Sequence, residues 1–257
     1  MPSIVAGSHS LPHMPHVEGA GIALHYLARG EGPVVVLVHG MASDARAWEP
    51  ALAQLADAGL RAIALDRRGY GDSGAPEPYA ATTVQEQAED VAALLRALGA
   101  APALLAGEGF GALVVLELLV RRPALSRAAV LADPPLYAFV PASATPALAD
   151  ERSLLEAGLR EGGPGAAVRT WLGADADPAR ADRAVAAHGG FFADYAGQSS
   201  WSPSRGELRA ISMPVAVLTG PASAPYLVEA ADAVARLVRG AARVDDGDMT
   251  AAALRLA

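Results

Sequence analysis

The stretch Leu104-Leu105-Ala106-Gly107-Glu108-Gly109-Phe110-Gly111-Ala112 decides how the rest of this 257-residue chain is read. An apolar run meets three glycines at alternate positions and passes directly into Phe110 to Val120, a segment apolar at nearly every position. That pattern is a buried strand turning sharply into a buried helix. The strand runs straight into the helix through small residues.

Working upstream, Pro33 to His39 is a continuous β-branched run, as expected of a strand covered on both faces and therefore of a parallel sheet. Ile22 to Ala28 reads as an earlier strand. A helix near Trp48 to Ala58, a strand at Arg61 to Leu65 and a helix from Thr83 to Leu98 complete a regular β-α alternation. Downstream, Ala128 to Ala132 reads as a strand, after which the rhythm stops for roughly 80 residues, too long for a plain loop. It resumes with a strand at Pro214 to Thr219, a helix from Ala224 to Val238, a strand at Ala242 to Val244 and a last helix from Thr250. The expected architecture is an α/β fold: a mostly parallel twisted sheet with helices on both faces and an inserted helical lid. Residues 1–133 and 211–257 form its core, with a shortened C-terminal helix, and residues 134–210 form the lid.

Composition narrows the chemistry. Hydrophobic residues at 52% and charged residues at 19% describe a chain that folds. A net charge of -8 repels phosphate backbones and anionic headgroups, so neither nucleic acid nor membrane is an expected partner. Every one of the 20 basic residues is arginine, which removes Schiff-base and P-loop lysine chemistry. The absence of cysteine removes thiolate nucleophiles and thiolate metal ligands. The opening residues lack the basic and apolar regions of a secretory signal, and no apolar run reaches 18 residues, so a cytoplasmic location is expected. No cofactor is expected, and sequence leaves the oligomeric state open.

Three segments together resemble the α/β-hydrolase superfamily. The first is the strand ending in His39-Gly40 and continuing Met41-Ala-Ser-Asp-Ala-Arg-Ala-Trp48; the resemblance implies an oxyanion-hole amide just after the His-Gly pair. Asp66-Arg67-Arg68-Gly69-Tyr70-Gly71-Asp72-Ser73-Gly74 is similar to the family's D-x-R-G-x-G-x-S turn, whose aspartate holds backbone amides. The third is the 104–112 stretch itself, which matches the nucleophile elbow G-x-S-x-G except at its centre. There the chain has Gly109, which offers no atom to attack or to be activated, so no acyl-enzyme can form. The resemblance also implies an acid shortly after Gly220, where the sequence reads Pro221-Ala-Ser-Ala, and a histidine where Asp248 stands. All three elements of a Ser-Asp-His relay are therefore missing together.

What remains are candidates with two readings each. Asp133, at the end of a strand where α/β folds bind ligands, is a candidate acid or base, or it closes a turn before Pro134-Pro135. Asp248 faces the pocket from the histidine's position, or belongs to a solvated acidic turn, Asp245 to Asp248. Glu108 is a hydrogen-bonder beside the elbow. Gly40, Met41, Gly109 and Phe110 outline a pocket, with the Met41 and Phe110 amides as oxyanion donors. His39 reads as structural, and the spacing of His9, His13 and His16 suggests a metal only weakly; none is expected. Tyr137, Phe139, Trp171, Phe191, Phe192, Tyr195 and Trp201 are seven of the thirteen aromatic residues, which suggests an aromatic-lined cavity under the lid or a small core for it. The expected ligand is a small hydrophobic molecule. The expected function is a cofactor-independent, non-hydrolytic enzyme (a cyclase, isomerase or lyase); the alternatives are a ligand-binding or regulatory protein and a hydrolase using carboxylate-activated water.

Overall fold

A computed structural model describes residues 15–257; His9 and His13 lie outside them. The sheet is built from β1 (His16–Glu18), β2 (Ala23–Arg29), β3 (Val34–Val38), β4 (Arg61–Leu65), β5 (Ala103–Glu108), β6 (Ser126–Ala132), β7 (Val215–Leu218) and β8 (Ala242–Val244). Its order is β1-β2-β4-β3-β5-β6-β7-β8. The pairs from β4 through β8 are parallel, while β1 and β2 pair antiparallel at one edge. The parallel α/β sheet expected from sequence is thus present. The three-residue strand β1 is an addition that no hydrophobic period announced.

Along the chain the helices are α1 (Glu49–Asp57), α2 (Val84–Ala97), α3 (Phe110–Arg121), α4 (Pro141–Leu172), α5 (Pro178–Ala186), α6 (His188–Gly197), α7 (Arg205–Ala210), α8 (Pro225–Leu237) and α9 (Met249–Leu256). Thr83 caps α2 by accepting from the Glu86 amide, which fixes where that helix starts. Strand residues alternate between two cores. Val36 and Val38 point to the side packed by α2, α3 and α8, and Val35 and Leu37 to the side packed by α1 and α9. Burial on both faces explains why these strands read as unbroken apolar runs.

Between β6 and β7 lie α4 to α7. The first of them is broken at Gly162-Gly163, where Gly163 takes φ +77° just before Pro164. Leu136, Trp201 and Leu208, near the ends of this segment, are buried in the core on the α3 side. The middle of the segment has a core of its own, with Leu155, Val168, Ala184 and Phe191.

The topology singles out one place. From β3 the chain steps to β4 on one side and later to β5 on the other, so the loops leaving β3 and β5 diverge over a crevice, the usual ligand position in open α/β sheets. No described helix is long and apolar enough to cross a membrane.

Candidate active site

At the end of β5 the backbone reverses through Gly109, at φ +54° and ψ −121°, and enters α3. The flanking glycines are there because of close approach. A Cβ on Gly107 would lie 2.3 Å from the Gly111 carbonyl oxygen, and one on Gly111 would lie 2.2 Å from that of Val38. Gly109 is different, since a Cβ there would meet only the Gly40 Cα, at 3.8 Å. Space permits a side chain at the tip of this turn, and the sequence supplies none.

In front of Gly109 lies a cavity of about 200 Å³. Its floor is Gly40, Met41, Glu108, Gly109 and Phe110; Asp133 and Pro135 come from the loop after β6; Tyr137, Glu151, Trp171, Arg180 and Gln198 come from the following segment; Tyr226 and Leu227 come from α8. Phe110 is the first residue of α3, so its amide precedes the helix's own hydrogen-bond ladder. Among the described residues neither that amide nor the Met41 amide donates a hydrogen bond, which leaves both for a ligand oxygen.

Three carboxyls line the cavity. Asp133 has φ +46°, a conformation that L side chains rarely adopt and that marks a functional candidate. Its Oδ1 accepts from the Ser223 hydroxyl at 2.6 Å, and Ser223 Oγ in turn accepts from the Gly220 amide at 2.8 Å. Burial raises the Asp133 pKa, while Ser223 and Arg243 oppose the rise. Burial also raises Glu108, with Asp133 adding to the shift and Arg180 opposing it. Glu151, again raised by burial, accepts from the Trp171 indole N–H, which fixes the ring against the cavity. Across from it the Tyr137 and Tyr226 rings stand 5.9 Å apart and tilted by 44°, and Tyr137 donates to Gln198 Oε1 at 3.1 Å. Burial pushes Tyr226 up to about 12 and Tyr137 further, so both phenols stay protonated and act as donors.

A second cavity of about 220 Å³ lies on the other side of Glu108 and Asp133, bounded by Trp48, Thr219, Gly247 and Met249. It occupies the end of the sheet that holds the Asp245 to Asp248 turn.

His39 supports the site without taking part in it. Its Nδ1 donates to the Gly40 carbonyl at 2.7 Å and its Nε2 accepts from the Arg67 amide at 3.0 Å. Burial, and after it the Arg67 charge, hold its pKa well below the usual range, so the imidazole stays neutral with both nitrogens engaged. Beneath it the buried Arg67 donates to the carbonyls of His39 and Gly40, each at 2.8 Å, and to Asp194 Oδ2 at 2.7 Å. Asp194, carried in by α6, also accepts from Tyr70 and Gln87, each at 2.7 Å.

Several sequence expectations need correction. Asp248 does not line either cavity; it is exposed and caps α9, accepting from the Ala251 amide at 2.8 Å. Of the seven aromatics, Tyr137 and Trp171 line the cavity before Gly109. Phe191 is wholly buried against Trp171, Phe192 and Tyr195, which is the core of the segment between β6 and β7. Tyr195 also faces a neighbouring cavity of about 300 Å³. Trp201 is buried with its indole N–H on Glu117, at 2.8 Å, and Phe139 packs on the sheet core under Arg205. Glu151, Arg180, Gln198 and Tyr226 were missed, because nothing in their local sequence marks them and only tertiary packing brings them to Gly109. His16 lies in β1 with its ring 5.3 Å from that of His25. His25, Asp66 and Asp72 do cluster, but Asp66 is already occupied by the Ala45 and Asp72 amides and by His25 Nδ1.

Comparison with known sequences agrees with this architecture. The profile of the alpha/beta hydrolase family matches residues 35–254, and the chain belongs to that family. The bifunctional epoxide hydrolase 2 of Sus scrofa is 31% identical over 115 residues, 45% of this chain and 21% of its own length. Epoxide hydrolase A of Mycobacterium tuberculosis is 39% identical over 101 residues, 38% of this chain and 31% of its own length. The match thus spans about a fifth to a third of these relatives. An alpha/beta hydrolase from Sphaerobacter thermophilus superposes with a TM-score of 0.75 at 26% identity, covering 94% of this chain and 99% of that one.

Proposed function

We propose that this protein is a cofactor-independent enzyme that rearranges a small, largely apolar molecule by acid–base chemistry, as an isomerase, cyclase or lyase. The observation that carries this reading is the meeting of Glu108, Asp133 and Glu151, all with raised pKa, in one cavity beside two unengaged amides and opposite a glycine. Asp133, held by Ser223 through one oxygen, takes a proton from a carbon beside a carbonyl. The C–H electrons move toward that carbonyl, and its oxygen, now an enolate, is received by the Met41 and Phe110 amides. The proton returns at another carbon, or a group leaves from the β-carbon with a proton from a neutral carboxyl or phenol. Only the arrangement of atoms changes in the first case, and one bond is exchanged for a double bond in the second.

Similarity to epoxide hydrolases supports a second reading, in which Asp133 takes a proton from water, the hydroxide attacks a carbon as a ring C–O bond there breaks, and the proton passes on to the oxygen released. Incubation of the pure protein with a metabolite extract of its source cells, followed by mass spectrometry, separates the readings. A product of unchanged mass, or one lighter by a leaving group, supports rearrangement, and one heavier by a water supports hydration. Either activity is expected to vanish in Asp133→Asn. A compound that is retained but unaltered overturns both readings and leaves a binding protein.

A further inference from the structure

The charge on the cavity wall is mostly of one sign. Glu108, Asp133 and Glu151 contribute carboxyls, and the cation among the lining residues is Arg180, itself exposed and donating to the Ala42 carbonyl at 3.4 Å. Glu108 is the least settled of the three. It keeps part of its surface open to solvent, among the described residues its side chain has neither a hydrogen-bond nor an ion-pair partner, and it forms part of the wall of both cavities. Its oxygens are open to a guest of the cavity.

Aromatic rings line the same cavity. The Trp171 ring is locked by its hydrogen bond to Glu151, and the Tyr137 and Tyr226 rings form a tilted pair. Electron-rich faces beside carboxylates recognise a cation whose charge is spread over alkyl groups, because such an ion needs little hydration and gains from both. An anion would meet three carboxyls, and a neutral guest would gain nothing from their charge. The volume of about 200 Å³ is below that of a drug-sized pocket and suits a compact guest.

We propose that the guest of this cavity is a small organic ammonium ion, seated against Trp171 and the tyrosine pair with its charge between Glu108 and Glu151. This rests on the reading above only in taking the cavity as the substrate site. The cation supplies what burial removes from the carboxyls, so binding tightens as pH rises through their range. The groups facing it that titrate or carry charge are Glu108, Asp133, Glu151, Arg180 and the two phenols, and only the carboxyls change state in that range.

Isothermal titration of the whole protein with choline, and with its uncharged isostere in which carbon replaces the nitrogen, tests this. Choline is expected to bind at least about 10-fold tighter than the isostere near neutral pH. That preference is expected to shrink several-fold at about pH 4.5, where carboxyls take up protons, and in Glu108→Gln. Equal affinities, weaker choline binding, or no binding of either compound overturns the proposal, and the wild-type comparison stands even where the variant fails to fold. Turnover is read separately by the metabolite experiment. Selective choline binding without turnover of any metabolite sinks the catalytic reading and keeps this one, whereas turnover of uncharged compounds with no preference for choline does the reverse.

Discussion

Two groups of charge lie a few residues apart, one buried and one on a cavity wall, and are built on opposite plans. Beneath the His39-Gly40 turn, Arg67 and Asp194 share a pair at 2.7 Å, and the remaining donors and acceptors are taken by Gln87, Tyr70 and two carbonyls. In front of the same turn, Glu108, Asp133 and Glu151 share a cavity with little to balance them. The first arrangement is what an apolar interior demands of a structural charge: a partner for every atom. The second departs from that demand, and unbalanced groups in a cleft are where chemistry or binding is found. Burial with its hydrogen bonds satisfied marks the framework, and partial exposure with few partners marks the site.

The sharpest way to break the contrast is Asp194→Ala. It leaves the Arg67 guanidinium buried without its carboxylate, and a loss of roughly 3–5 kcal/mol is expected. Because α6 brings Asp194 to the core, the same change loosens the segment between β6 and β7, and chemical denaturation measures the sum. Arg67→Met combined with Asp194→Leu should be far milder than Asp194→Ala alone, since no unpaired charge remains. If the double variant is as damaged as the single one, the network is not the balanced structural unit described here.

Gly109 lies between the two groups and belongs to neither. Gly109→Ala is expected to cost about 1–2 kcal/mol, from its φ of +54° and not from crowding, because its Cβ has room. Gly109→Ser restores the hydroxyl but no base for it, as both nitrogens of His39 are engaged. Treatment of that variant with a serine-directed organophosphorus reagent should leave its intact mass unchanged. Covalent labelling would show that some group in the cavity activates the hydroxyl, and Asp133 would be the first suspect.

How much of this was legible in the sequence follows from the same physics. Strands β3 and β5 could be read because both faces are buried, and the elbow because glycines at alternate positions meet a close backbone approach. Asp133 could be placed because a strand end fixes its position. Asp248 could be aligned but not aimed: the α9 amides, orphaned at that helix start, draw its carboxyl outward, and no pattern of residue types announces such a choice. The aromatics of residues 134–210 had two readings, and packing divided them, with Trp171 and Tyr137 lining the cavity and Phe191 and Trp201 in cores. Glu151, Arg180 and Tyr226 come from three separate helices, and sequence distance hides their meeting.

Asp133 and Asp248 make a smaller version of the comparison. Asp248→Ala removes a helix cap and should cost about 1 kcal/mol, while Asp248→Asn, which still caps, should be close to neutral. Neither should alter turnover, in contrast to Asp133→Asn. An Asp248→Asn protein with unchanged melting and lost turnover would bring that side chain back into the site.

The smallest effect expected is the most direct reading of the unbalanced group. A carboxyl whose pKa is raised by folding holds its proton more tightly folded than unfolded. Its contribution to stability is therefore full below the unfolded value near 4.3, and is lost as pH rises through the folded value. Glu108→Gln removes that dependence and keeps the shape, so the variant and the wild type should melt together at about pH 4. At about pH 8 the variant should melt higher, by on the order of 2 °C or less, because water admitted by the cavity screens the charge. A cation in the cavity acts in the opposite sense, stabilising the ionised wild type at pH 8 and leaving the glutamine variant almost unmoved. Adding choline to both proteins should therefore reverse their order of melting, which a merely awkward surface glutamate would not do.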